Sequence, residues 1–229
     1  MSNQWNTYSD LYNQGIGNEG DELHQELIDP IIFNFLDDYQ NKTILDLGCG
    51  NGYLTNKLAK KAKKVIGMDF AEKLLLHAKK NFSADNIEFI QADATQKLPL
   101  ADNESEVMIV NMVAQYLPEL KNLVKEAHRI LKKNGQAIVI VDHPAHSLFL
   151  RAQKLIGKND KKFIDLNSYF QVEKRRKKSL WNKAVLEYYH RPISYYVNSF
   201  ANNFHLVEMR EATQDREIPR ILGLNWKKL

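Results

Sequence analysis

The apolar positions of this chain change rhythm along its length. In "DELHQELIDPIIFNFLDDY", residues 21–39, Leu23, Leu27, Ile31 and Phe35 recur every four residues, which predicts a helix. Pro30 predicts a kink there, or the start of a second helix capped by Asp29. From residue 42 short apolar runs take over, each followed by an amphipathic stretch. "KTILDL", "KVIGMD", "NIEFIQAD", "VMIVNMV" and "QAIVIVDH" read as buried strands. "YLTNKLAKKA", "AEKLLLHAKKNF" and "PELKNLVKEAHRILKKNG" read as helices, the last with Pro118 near its first turn and stopping at Gly135.

Strands and helices alternating at these lengths predict βαβ units and a parallel sheet with helices on both faces. The rhythm fails after residue 143. "PAHSLFLRAQKLIG" reads as helix, and "SYFQVEKRRKKSLW" with "KAVLEYYH" as a pair of strands. "RPISYYVNSFANN" returns to helix, and "FHLVEMREA" and "IPRILGLNWKK" predict an antiparallel finish. The expectation is one α/β domain, 1–229, with a doubly wound, mostly parallel seven-stranded sheet. Residues 1–40 form an N-terminal helical arm or lid, 41–143 a ligand-binding core, 144–190 an insertion after strand five covering the substrate, and 191–229 a closing helix and strands.

Composition narrows the class. Of the 229 residues, 44% are hydrophobic and 26% charged, as in a soluble globular protein. No apolar run approaches the roughly 20 residues that span a bilayer. The N-terminus has neither a basic start nor an apolar stretch, so no secretory signal is expected. A lone cysteine, Cys49, rules out an internal disulfide framework and fits a reducing, cytoplasmic setting. The net charge of +4 permits an acidic or nucleic-acid partner without implying one.

The candidate chemistry starts at "TILDLGCGNGYLT", residues 43–55, where a strand ends in a glycine turn that opens a helix. Gly48 permits a tight turn, and Gly50 and Gly52 let the backbone approach a ligand. The dinucleotide fingerprint wants its third glycine at the sixth position, where Tyr53 stands. Asp46, Asp69 and Asp93 sit at the ends of three strands, on the edge where open α/β sheets bind ligands. Asp69 lies about 20 residues past the turn, the place of a ribose acceptor. Asp93 could accept from an adenine amino group, with the Ala94 N–H reading the neighbouring ring nitrogen. Three acids receive phosphates badly and an adenosine with a positive centre well. Each acid also has a plainer reading, as a turn cap, a solvated strand end or a helix cap.

"ILDLGCGNGYLT", "VIGMDFAEKLLLHAKK", "IEFIQADATQKLPLADNESEVMIVNMVAQYL" and "EAHRILKKNGQAIVIVDHPAH" together resemble the class I S-adenosylmethionine-dependent methyltransferases over residues 40–145. The resemblance implies their Rossmann-like fold and S-adenosyl-L-methionine as cofactor. It places Asp46, Gly48, Cys49 and Gly50 by the methionine part and Asp69 at the ribose hydroxyls. Phe70 would pack near the adenine, Asp93 and Ala94 at its edge, and the backbone of Asn111 along the cofactor. Tyr12 and Tyr8 in the arm would close over the site, and no metal is expected.

The acceptor end is less legible. Tyr8, Tyr12, Tyr169, Phe170, Trp181, Tyr188 and Tyr189 could line an apolar pocket or fill the core. Tyr8, Tyr116, His143, His146 and Tyr169 are the candidate substrate residues. His143 in "VDHPAH" is the candidate general base, against a purely local hydrogen bond before Pro144. The leading expectation is in-line methyl transfer to an N, O or C atom of a small molecule. "KRRKK", 174–178, and the helix lysines 57, 60, 61, 63 and 64 motivate RNA or a peptide as the alternative acceptor. A non-catalytic cofactor-binding protein is the second alternative. The oligomeric state is left open.

Overall fold

A computed structural model describes residues 4–146, 148, 166–178, 184–214 and 218–229. Five parallel strands, β1 (Thr43–Leu47), β2 (Lys64–Asp69), β3 (Ile87–Gln91), β4 (Ser105–Asn111) and β5 (Leu131–Asp142), form most of one sheet. A separate antiparallel hairpin pairs β6 (Glu173–Lys178) with β7 (Val185–His190). The antiparallel strands β8 (Phe204–Ala212) and β9 (Ile221–Lys228) complete the main sheet. Its order is β3-β2-β1-β4-β5-β9-β8, the expected seven strands.

The helices are α1 (Gln4–Thr7), α2 (Ser9–Ile16), α3 (Asp29–Phe35), α4 (Tyr53–Ala59), α5 (Glu72–Asn81), α6 (Lys121–Ile130) and α7 (Ile193–Phe200). Among the described residues no helix is long and apolar enough to cross a membrane. Strand side chains alternate between faces, and the core divides accordingly. Ile44, Val65, Val107 and Ile138 pack with Leu27, Ile32, Leu54 and Leu58 of one helical layer. Leu45, Met68, Val110 and Val139 pack with Leu123, Ala127, Tyr196 and Phe200 of the other. Apolar burial on both faces explains why these strands read as unbroken apolar runs.

Two predicted boundaries are corrected. The 21–39 helix is a π-helical segment, His24–Ile28, running into α3, which ends at Phe35. Ile28 already has helical backbone, so no free helix start exists for Asp29 to cap. The Asp29 carboxylate instead accepts from the Tyr53 hydroxyl at 3.1 Å and Lys57 at 2.9 Å. The helix predicted to stop at Gly135 ends at Ile130, with Pro118 before its start. Leu131 is fully buried and pairs with Ser105, so strand geometry begins there. The turn follows at Asn134, with φ 60°. Of the predicted helix 144–157, residues 144–146 and 148 are described and are helical; the remainder, and Trp181, lie outside the described residues.

The chain switches direction between β1 and its two neighbours, β2 and β4, opening a crevice at the strands' carboxyl ends. The N-terminal helices cross it. Gln4 on α1 mimics a strand neighbour of β7, donating to the Glu187 carbonyl at 3.1 Å and accepting from the Glu187 N–H at 2.9 Å. Asp10 on α2 bonds His77 on α5 at 2.8 Å.

Candidate functional site

The glycine turn after β1 is a bare backbone cradle. Gly48 has φ 79°, and a β-carbon there would lie 2.1 Å from a Val113 methyl carbon. Gly50 has φ 57°, and its missing β-carbon would lie 2.9 Å from the Tyr12 hydroxyl. Both conformations favour glycine, and neither position has room for a side chain. The Gly48 and Cys49 N–H groups donate to the Met68 carbonyl at 2.6 and 2.9 Å, locking the turn to the end of β2.

Asp69, the last residue of β2, completes the lock. Its carboxylate accepts from the Gly50 N–H at 3.0 Å and the Ala71 N–H at 2.8 Å. Burial pushes its pKa up to about 6, against the pull of those backbone donors. Each carboxylate oxygen has two lone pairs, so accepting capacity is left over.

A cavity of about 280 Å³ runs along this edge. Asp69 of β2, Gly48 after β1, Asn111 of β4 and Asp142 of β5 all line it. With neighbouring strands about 4.8 Å apart, that row is roughly 14 Å long. Trp5 and Tyr12 from the arm, Tyr116 after β4, and Lys177 and Tyr188 from the hairpin add to the wall. Trp5 meets Tyr12 and Tyr116 edge-on, with ring centres 5.7 and 5.0 Å apart.

Ten of the candidate residues are on this wall: Tyr12, Gly48, Gly50, Asp69, Phe70, Ala94, Asn111, Tyr116, His143 and His146. Tyr188 and Tyr189 join them, whereas Phe170 is 74% exposed elsewhere. Five candidates are not on it. Asp46 is buried behind the turn, accepting from the Thr55 hydroxyl at 2.6 Å, with its pKa pushed up to about 7 by burial. Cys49 is buried too, and burial raises its thiol well above the usual range, which removes thiolate character. Asp93 is turned onto its own loop, accepting from the N–H and hydroxyl of Thr95, both at 2.8 Å. Tyr8 is half-buried where α1 meets α2. Tyr169 lies behind the hairpin, its ring edge-on to His190 and its hydroxyl accepting from the Ile193 N–H at 3.4 Å.

His143 is on the wall, yet both ring nitrogens are engaged. Nδ1 accepts from the Ala145 N–H at 3.2 Å, which places the proton on Nε2, 2.6 Å from a Glu211 oxygen. The local bond before Pro144 is thus the one formed, and the lone pair a base would use is occupied.

Several wall residues were not read from the sequence as part of this site, Lys177 having been noted only within the basic run 174–178. Asp21 and His24 pair at 2.6 Å. Lys177 pairs with Asp142 and lies 5.5 and 5.4 Å from the ring centres of Tyr116 and Tyr188. Arg191 is 1% exposed and donates to the carbonyls of Ala114, Leu117 and Pro118 at 3.2, 2.6 and 2.7 Å. Arginine so buried is rare, so composition does not announce it. Trp5 was the one legible omission, a large aromatic in an otherwise polar arm.

Among the described residues, wall atoms buried without a hydrogen-bond partner include Asn111 Oδ1, Gln115 Oε1 and Arg191 Nε. Buried polar atoms are ordinarily paired, so these are places where a ligand would complete the bonding.

Comparison with known proteins agrees with this geometry. Residues 45–139 match the family described as "Methyltransferase domain". A Haemophilus influenzae protein is 28% identical over 200 residues, which cover 82% of this chain and 77% of its own. The demethylmenaquinone methyltransferase of Lactococcus lactis is 34% identical over 134 residues, 56% of this chain and 53% of its own length. In fold, the chain is similar to an S-adenosylmethionine-dependent methyltransferase structure from Listeria monocytogenes. The TM-score is 0.71 at 22% identity, covering 88% of this chain and 96% of that one.

Proposed function

We propose that the chain, whose residues 45–139 match the methyltransferase-domain family, is a class I S-adenosylmethionine-dependent methyltransferase that methylates an N, O or C atom of a small molecule held in the 280 Å³ cavity. The observation that carries this reading is the cavity itself. It joins the glycine cradle and Asp69 at one end to an aromatic, hairpin-covered wall at the other.

The residues present fit S-adenosylmethionine. At Gly48 and Gly50 the bare backbone lets Val113 and Tyr12 close in, and both glycines line the cavity. Asp69 has lone pairs left that would take the ribose hydroxyls, and Phe70 and the Ala94 N–H, on the same wall, would meet the adenine. Asn111 offers an unpaired carbonyl oxygen to a hydrogen-bond donor. Asp46, Cys49 and Asp93 act one step back, by shaping the loops that make these contacts. When bound, the cofactor supplies a sulfonium-activated methyl group for in-line displacement.

The chain's part is then placement and exclusion of water. Alignment of two reactants accounts for about 7–11 kcal/mol of barrier lowering. A general base adds about 10²–10⁴-fold, roughly 3–5 kcal/mol. With His143 engaged on both nitrogens, placement by Trp5, Tyr12, Tyr116 and the hairpin carries the rate.

The basic segments support a small acceptor over RNA. In 174–178, Lys174 and Arg176 pair with Glu187, Arg175 with Glu173, and Lys177 with Asp142. Lys57, Lys61 and Lys64 also have carboxylate partners. Little of this charge is left for a phosphate backbone.

Calorimetry with S-adenosylmethionine and S-adenosylhomocysteine, repeated on Asp69→Ala, tests the cofactor site. Binding lost in the variant is expected. A radiolabelled methyl screen against small-molecule extracts and total RNA tests the acceptor; label in the RNA fraction alone would overturn the small-molecule reading.

A further inference from the structure

We infer that the acceptor carries an anionic group, a carboxylate or a phosphate ester, which docks on Arg191, where β7 runs into α7 on the cavity wall. This inference rests on the methyl-transfer reading of the same cavity and specifies its acceptor.

The charges on the wall divide unevenly. Three carboxylates line the cavity, and each is occupied. Asp21 pairs with His24, Asp142 with Lys177, and Asp69 takes two backbone N–H groups. Arg220 is bonded to Gln214 and lies near Asp21, whose pKa it helps lower. Arg191 and Lys178 remain without an ion pair among the described residues; Lys178 pairs in register with Val185 on the exposed face of the hairpin, whereas Arg191 follows His190 at the other end and is buried.

Arg191 is the stronger observation. Its guanidinium is almost wholly buried, and a buried charge without a counter-ion is costly. Its three carbonyl bonds explain its position, because they tie the β7–α7 junction to the loop after β4. They do not explain its charge; a neutral amide would make carbonyl bonds without that cost. Three of its five N–H groups are used, and Nε has no partner. Tyr189 and Tyr195 face it at 5.1 and 5.2 Å, adding π density but no anion. An anion here would complete the guanidinium's bonding and cancel a charge that low dielectric leaves strong. The carboxylate of Asp69 and the guanidinium of Arg191, both on the wall, would also orient an acceptor that is anionic at its far side.

Benzoate, phenyl phosphate and neutral benzamide are matched probes. Each is titrated by calorimetry, at constant ionic strength, into protein saturated with S-adenosylhomocysteine. The anions should bind saturably and at least tenfold more tightly than benzamide, and the tighter of the two names the group. Arg191→Met and Arg191→Gln should each weaken the anions at least tenfold. Arg191→Gln keeps an amide for the carbonyl bonds while removing the charge, so it keeps the test intact if Arg191→Met does not fold. Benzamide binding as well as the anions, or anion binding unchanged in the variants, overturns the inference. Loss of S-adenosylhomocysteine affinity in Arg191→Met overturns it too, by assigning the guanidinium to the cofactor's own carboxylate. Failure of wild type to bind S-adenosylhomocysteine marks the separate failure of the methyl-transfer reading.

Discussion

The hydroxyl of Tyr12 rests against the bare face of Gly50, 2.9 Å from where a β-carbon would stand. Burial and the nearby Asp69 and Asp46 push its phenol pKa far up, so it stays protonated at every working pH. One helix of the arm and the glycine turn are therefore fitted to each other around the absence of a methyl group. Gly50→Ala should cost about 1–2 kcal/mol through its left-handed φ and displace Tyr12 as well. Urea unfolding should show the first effect. A loss of S-adenosylhomocysteine affinity of tenfold or more should show the second; an unchanged affinity would mean the fit is incidental.

Asp69 is expected to set a pH limit on S-adenosylhomocysteine binding. Its pKa is raised to about 6, and the ionised form is the one that accepts hydroxyls. Affinity should be level above pH 7 and fall as pH drops through about 6, approaching tenfold per unit below it. Asp69→Asn should bind more weakly and show no such fall. Calorimetry between pH 5 and 8 checks both curves.

Asp46 makes the opposite prediction for stability. Its ordinary pKa of 3.8 rises to about 7 in the fold, so folding favours its proton. Its contribution is fully present below the unfolded value and is lost as pH rises through about 7. Asp46→Asn should gain stability relative to wild type between pH 4 and 8, on the order of a few kcal/mol. Urea curves at both pH values measure the difference; a constant difference would show that Asp46 is ionised throughout.

His143 is expected to matter for structure more than for proton transfer. His143→Ala removes bonds to Ala145 and Glu211 and should cost about 1–2 kcal/mol. S-adenosylhomocysteine affinity should survive. A folded variant that binds the nucleoside but has no turnover would return His143 to the chemistry.

The arm is a wall, and its removal should be felt. Deleting residues 1–18 takes away Trp5 and Tyr12. S-adenosylhomocysteine affinity should fall at least tenfold, and an unaltered value would make the arm mere cover.

The sheet was legible because its signal is local. Five runs such as "KVIGMD" are apolar on both faces, and only a covered parallel strand needs that. The cradle was legible for a similar reason, since Gly48 and Gly50 stand at positions that exclude every side chain. Asp69 could be placed from its spacing and lines the cavity. Asp46 and Asp93 shared its position at a strand end but not its direction. Which way a carboxylate turns is set by Thr55 and Thr95 beside it, and strand-end position alone does not encode that. The end of α6 was misread because Leu131 is drawn into the core, a tertiary effect that outweighs Gly135 as a stop signal. Arg191 was invisible and Lys177 was read only as part of the basic run 174–178, because their partners are distant: carbonyls more than seventy residues away for one, and Asp142 for the other.

Gln4 joins α1 to the Glu187 backbone by two hydrogen bonds across 183 positions of sequence. Such a clasp belongs to no single loop, so it cannot open by a local hinge alone. Releasing it frees the arm from the hairpin, and with it two sides of the chamber at once. One side chain near the start of the chain thus fastens two walls that the sequence keeps far apart.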